Sequence, residues 1–233
     1  MEKLDILFED RDLLVAVKPE GVDSEASRGL EPDMVNLVRS HLAETGGTRE
    51  MPYVGVIQRL DRPVRGIMVF AKNPGTAAAL SKDLREHRFH KSYRAILCGQ
   101  PKEKAGGFTD WITQKPGENL AVICKKTDPG AKECRLSYKL LRKKFLKGEQ
   151  ISEVEIELLT GRHHQIRAQF SSRGLPLMGD RKYNPAYAEV PPRGLCGTEE
   201  MGQHLCLTAC ALSFVHPRTR KRMHFEITPL FQL

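Results

Sequence analysis

Apolar positions along this chain fall into short runs, and their spacing predicts most of its elements. Ile6–Phe8 and Leu13–Val17 read as two strands separated by the acidic turn EDRD, and Lys18-Pro19-Glu20-Gly21 closes the second with turn formers. Met34, Leu37, Val38 and Leu42 lie at helical spacing, which predicts an amphipathic helix over 33–44 ended by Gly46-Gly47. Ile67–Ala71 is a compact apolar run suited to a buried strand. Asn73 and Pro74 then supply an N-cap and a first helical residue. The helix they open has an apolar stripe of Ala77, Leu80 and Leu84, which leaves Lys82, Arg85 and Arg88 outside.

The pattern then changes to strands. Ser92–Cys98, Phe108–Thr113, Leu120–Cys124 and Leu136–Phe145 read as strands, with a turn at Gly148. Val154, Ile156 and Leu158 alternate with Glu153, Glu155 and Glu157, which predicts a strand with one wet face. Ile166 and Phe170 stand one helical turn apart in His163–Arg173, and Gly174 sits where a C-cap glycine belongs. Residues 180–203 read as a loop, carrying Pro185, Pro191, Pro192, Gly194 and Gly197. Leu205–Phe214 and Lys221–Ile227 are the last two strands, joined by HPRTR. Many strands with few interspersed helices predict an α+β fold: a single domain over 1–233 on a mixed, largely antiparallel β-sheet flanked by helices and loops.

Composition narrows the class. The 233 residues are 40% hydrophobic and 28% charged, as expected of a chain that buries a core. No apolar run approaches the roughly 18 residues of a membrane span, and the opening MEKLDILFEDRD lacks the pattern of a secretion signal. A cytoplasmic protein without a membrane partner is expected. The six cysteines form no Cys-x-x-Cys pair, so they read as buried thiols rather than a zinc or redox motif.

Charge is uneven. The net is +8, yet residues 1–50 hold 6 Lys/Arg against 12 Asp/Glu, while 58–94 hold 9 against 3. Clustered positive charge is the footprint of a polyanion partner, and a solvated surface is the plainer alternative.

The basic cluster surrounds a carboxylate. QRLDRPVRG places Asp61 among Arg59, Arg62 and Arg65; TGRHHQIRAQF adds Arg162 and Arg167, with His163, His164 and Gln165 between them. Positive neighbours keep an acid ionised, as a nucleophile or base requires. The plainer reading of Asp61 is a surface acid paired with Arg62 or Arg65. Arg167 reads either as a bidentate carboxylate partner or as a helix-surface arginine. Tyr93 is either a core aromatic or a platform for an extruded base. His163 and His164 lack a third ligand at a recognisable spacing, so no metal is expected.

The motifs ILFEDRDLLVAVKPEG, QRLDRPVRGIMVFAK, KSYRAILCG, TGRHHQIRAQFSSRGLPLMGDRKY and LxLxAxxLSFVHPRT occur in this order, and together the chain resembles an RluA-type pseudouridine synthase. The resemblance implies one cofactor-free catalytic domain of the pseudouridine synthase fold. It assigns Asp61 as catalytic aspartate, Tyr93 as active-site tyrosine and Arg167 as the arginine paired with the aspartate. With its first strand near Ile6, the chain is expected to lack the small N-terminal RNA-binding domain of many relatives. It differs from the common pattern at Gln58 (usually His), Val64-Arg65 (usually Thr-Ser) and His163 (usually Thr), positions that bear on RNA choice. The expected function is isomerisation of uridines in structured RNA, a tRNA or rRNA stem-loop, by a monomer. Arg59, Arg62, Arg65, Arg85, Arg88, Arg162, His164 and Gln165 are expected to contact the RNA. The rivals are an idle RNA-binding protein on the same basic face and a base-excising hydrolase; the latter lacks an evident second acid.

Overall fold

The computed structural model describes residues 4–26, 33–46, 51–146, 148–189 and 204–233. In chain order the elements are β1 (Asp5–Glu9), β2 (Leu13–Lys18), α1 (Met34–Gly46), β3 (Gly55–Val56), β4 (Arg65–Ala71), α2 (Pro74–Arg85), β5 (His90–Cys98), β6 (Ala105–Gln114), β7 (Ala121–Cys124), β8 (Lys132–Leu146), β9 (Glu149–Leu158), α3 (Gln165–Ser171), β10 (Leu207–Val215) and β11 (Arg222–Glu226), with a single 3-10 turn at Pro185–Tyr187. Strands outnumber helices and the two are interspersed, so the fold is α+β. Of the expected 180–203 loop, residues 190–203 lie outside the described residues, as does Gly47. The five described cysteines are free thiols, and Cys196 is outside that set.

The chain divides into two compact units, Met1–His90 with Ala209–Ile227, and Lys91–Thr208 with Thr228–Leu233. In the first unit β2 is central: β1 and β4 pair with it antiparallel, and β3 and β11 add antiparallel to β4 and β10. Every residue of β2 is buried, because both faces of the strand are covered. Leu13, Val15, Ile67, Val69, Leu80, Phe89, Leu212 and Phe214 form the core there. Asn73 caps α2, its side chain accepting the Thr76 amide at 2.8 Å. Gly66 opens β4 against Ala209 of β10; a Cβ at Gly66 would stand 2.4 Å from the Ala209 Cβ and 2.7 Å from its carbonyl oxygen, so only glycine fits.

In the second unit an antiparallel series runs β5–β9–β8–β6–β7. Strands β6 and β8 extend past the apolar runs that predict them, because the ladder also takes in Ala105–Gly107 and Lys132–Arg135. The expected wet face of β9 is only partly wet. Glu153 is buried, since its carboxylate accepts from Arg94 Nη1 at 3.1 Å and from the Leu233 amide at 3.5 Å. Helix α3 is shorter than His163–Arg173, because His164 sits at φ +50 and cannot join it. Gly174 is at φ +70, as a glycine past a helix end should be. Gly179 is also left-handed, and its missing side chain leaves room for the His204 carbonyl, which a Cβ would meet at 1.7 Å.

Candidate active site

Asp61 sits on a tight turn ahead of β4, closed by the Val64 amide donating to the Asp61 carbonyl at 2.9 Å. Two buried side chains secure this turn from below. Ser24 accepts the Leu60 amide at 3.0 Å and donates to the Leu60 carbonyl at 2.8 Å. Lys18 is fully buried at the end of β2, and its ammonium donates to the carbonyls of Pro19, Val22 and Arg62 at 2.9, 2.7 and 3.0 Å. Three acceptors match its three protons. Burial lowers its pKa to about 8, against the opposing pull of Asp23 and Asp61. Gly21, at φ +82, exchanges a bond with the same turn: its amide donates to the Arg62 carbonyl at 2.9 Å and its carbonyl accepts Arg62 Nε at 2.9 Å.

The turn thus presents a partly exposed carboxylate on a rigid base. Arg59 is exposed beside Glu25 at 3.3 Å, and Arg62 stands 3.9 Å from Asp23. Arg65 is partly exposed where β4 begins. Arg85 and Arg88 project from the end of α2, but Arg88 is clasped by Asp83 and Glu86, so much of its charge is already answered within the protein.

In the second unit, Tyr93 is buried in β5 opposite Ile156 of β9. Arg167 is 3% exposed, so it is no helix-surface arginine. It makes a fork with Asp180, Nε to Oδ2 and Nη2 to Oδ1, both 2.7 Å. Asp180 also accepts the amides of Lys182 and Tyr183, and the Arg167 guanidinium lies 5.1 Å from the Tyr183 ring centre. The Tyr183 hydroxyl meets His164 Nδ1 at 2.9 Å and the Ala121 amide at 2.7 Å. His163 stacks on His164 at 3.7 Å. A buried histidine in a left-handed conformation is the kind of strain that sites retain.

Gln165, one of the expected RNA contacts, is engaged within the protein. Its carbonyl oxygen accepts from the Thr160 hydroxyl and the Arg162 amide, and its amide nitrogen donates to the Arg135 carbonyl and to Gln169. All four of its hydrogen-bonding positions are filled inside the protein. It ties the 160–164 loop to β8. Arg162 remains exposed, with Nε on the Glu133 carbonyl at 3.0 Å.

Residues 12–172 match the sequence pattern of the RNA pseudouridylate synthase family. The chain belongs to this family. It is 32% identical over 225 residues to an uncharacterised RNA pseudouridine synthase of Aquifex aeolicus, covering 96% of this chain and 69% of that protein. It is 30% identical over 226 residues to the ribosomal large subunit pseudouridine synthase D of Zymomonas mobilis, covering 96% and 68%. Human RNA pseudouridylate synthase domain containing 4 shares the fold at a TM-score of 0.74 and 21% identity, over 97% of this chain and 88% of that one. Human RNA pseudouridylate synthase domain containing 1 does so at 0.72 and 23%, over 99% and 85%.

As an RNA pseudouridine synthase the protein is an isomerase. Lys18 and Asp180 stand inside VAVKPEG and LMGDRKY, and the sequence pattern alone assigns neither a role. A lysine ending an otherwise apolar strand, and an acid after a glycine, were the available signals. Ser24 and Tyr183 carried none, because their partners are remote in sequence. A further cluster, Asp10, Asp12 and His216, brings its ligand atoms within 4.8 Å. Its bonds are structural: His216 Nδ1 accepts the Arg218 and Thr219 amides, its Nε2–H therefore faces Asp10 at 2.9 Å, and Arg218 pairs with Asp12.

Proposed function

We propose that the protein converts specific uridines of a structured RNA, a tRNA or rRNA stem-loop, to pseudouridine, with Asp61 as the catalytic carboxylate. The base must leave the sugar at nitrogen, turn and return through carbon 5, which releases a hydrogen. Such chemistry cannot occur inside a stacked helix, so the nucleotide is flipped out at a cost of about a few kcal/mol. Tyr93 is proposed to stack on the extruded base, and Arg167 is the arginine that the family resemblance assigns to the aspartate. Arg59, Arg62, Arg65, Arg85, Arg162 and His164 are proposed to hold the surrounding RNA; Arg88 is a weaker candidate because acids already clasp it.

The observation that carries this reading is the immobilised Asp61 turn, held by Ser24 and Lys18 while its carboxylate stays partly open. A binding module has no need of a rigid, partly exposed acid amid arginines that attract phosphate. Residues 1–233 are proposed to work as one catalytic domain, since the family pattern runs through the boundary between the two units. The cytoplasm is the proposed place of action, and no described helix is long and apolar enough to cross a membrane.

The test is release of tritium from carbon 5 of uridine in labelled stem-loop RNA. The synthase releases it while the base stays attached. A binding protein releases none, and a hydrolase frees the base; either result would replace this reading.

A further inference from the structure

Most well-buried cations in this protein are matched by acceptors. Lys18 has three carbonyls, Lys72 has Glu9 and the Asp10 carbonyl at 2.7 Å each, and Arg167 has Asp180. Lys91 is different. It lies in the second unit, in β5 just ahead of Tyr93, where it is partly buried. Its ammonium packs so closely on Gly161 that a Cβ there would be 3.3 Å away. Among the described residues it has neither a hydrogen bond nor an ion pair. The charge that weighs on it is another cation, Arg162, which joins burial in lowering its pKa. Arg162 is held in place by a neutral acceptor, the Glu133 carbonyl.

Two cations brought together without an acid oppose folding, the more so when one is partly desolvated. An arrangement of this kind is favourable only when an anion completes it. A lysine supplies a compact charge and an arginine a planar fork, and together they suit the oxygens of a phosphate. We infer that Lys91 and Arg162 form a binding site for a backbone phosphate of the RNA substrate. The inference rests on the reading of the protein as an RNA-modifying enzyme. Lys91 and Tyr93, two residues apart on a strand, share one face of β5, so the bound phosphate belongs to the nucleotides next to the base that Tyr93 is proposed to stack on. A side chain at Gly161 would press on the ammonium, which would have to give by a few tenths of an ångström.

The experiment measures binding of a uridine-containing stem-loop RNA across a range of KCl concentrations, for the wild type, Lys91→Gln and Lys91→Arg. Lys91→Gln is expected to weaken binding about tenfold at low salt and to flatten the slope of log K against log salt by roughly 0.7 to 0.9, the share of one phosphate contact. Lys91→Arg should restore most of the slope. Lys91→Gln should also melt no lower than the wild type, because its ammonium has no protein partner to lose. An unchanged slope overturns the site. So does a slope lost together with several degrees of melting temperature, which would make Lys91 structural. Stabilisation of the wild type by inorganic phosphate as large as that by the RNA would assign the site to a free anion and overturn it too. The two proposals fail separately: a Lys91-dependent slope without pseudouridine formation sinks the isomerase reading alone, and pseudouridine formation with an unaltered Lys91→Gln slope sinks this one alone.

Discussion

Lys18 holds a charge where there is almost no water, and the Asp61 turn depends on how that charge is held. Below about pH 8 the ammonium donates to three carbonyls of the loop; above it one donor is lost. The folded pKa, about 8, lies below the ordinary 10.5. The unfolded chain therefore binds more protons between these values, and stability due to Lys18 rises with pH across that window. Wild type should gain about 2 kcal/mol between pH 7.5 and 10 relative to Lys18→Met, as read by urea unfolding at both pH values. Equal changes in the two proteins would mean that burial does not depress the folded pKa of Lys18. At this scale the sequence was only partly informative. Asp61, Tyr93 and Arg167 stand out by type and neighbours, and Gln165 does too. That Gln165 spends all four of its bonds internally depends on Thr160, Arg135 and Gln169, which a linear reading does not bring to it.

The elements were legible wherever burial follows a simple period. β2, β4, α2 and β5 lie where their apolar runs put them, and the Asn73 cap and Gly174 exit follow from residue chemistry alone. The exceptions have physical causes. β8 starts early, at Lys132, because the ladder to β6 takes in Lys132–Arg135, and α3 starts late because His164 turns left-handed. The segment from Leu177 to Asn184 has little periodicity to read, yet it carries the acid that receives Arg167. Asp180→Ala would leave the Arg167 guanidinium without that acid in a buried setting, a loss of about 3–5 kcal/mol by analogy with broken buried pairs. Thermal unfolding of Asp180→Ala and Asp180→Asn checks this, with the asparagine variant the milder. Two variants as stable as the wild type would show that the fork contributes little.

For the whole molecule, clustered charge points to a polyanion partner, and the family pattern over 12–172 is that of RNA pseudouridylate synthases. The structure refines which charges count. Arg88 is answered by Asp83 and Glu86, whereas Arg85 is exposed and makes no ion pair among the described residues. Arg85→Ala should therefore flatten the salt dependence of RNA binding by roughly 0.7 to 0.9, and Arg88→Ala by clearly less. Equal slopes in the two variants would mean that RNA strips Arg88 from its acids.

The central claim is that Asp61 drives the isomerisation. Its most direct test is the pseudouridine content of stem-loop RNA after incubation with wild type or Asp61→Asn, read with RNA affinity and melting temperature on the same preparations. Asparagine keeps the shape and removes both nucleophile and base, so the account predicts no pseudouridine above background, with affinity and melting close to wild type. Substantial pseudouridine formation by purified Asp61→Asn would contradict it.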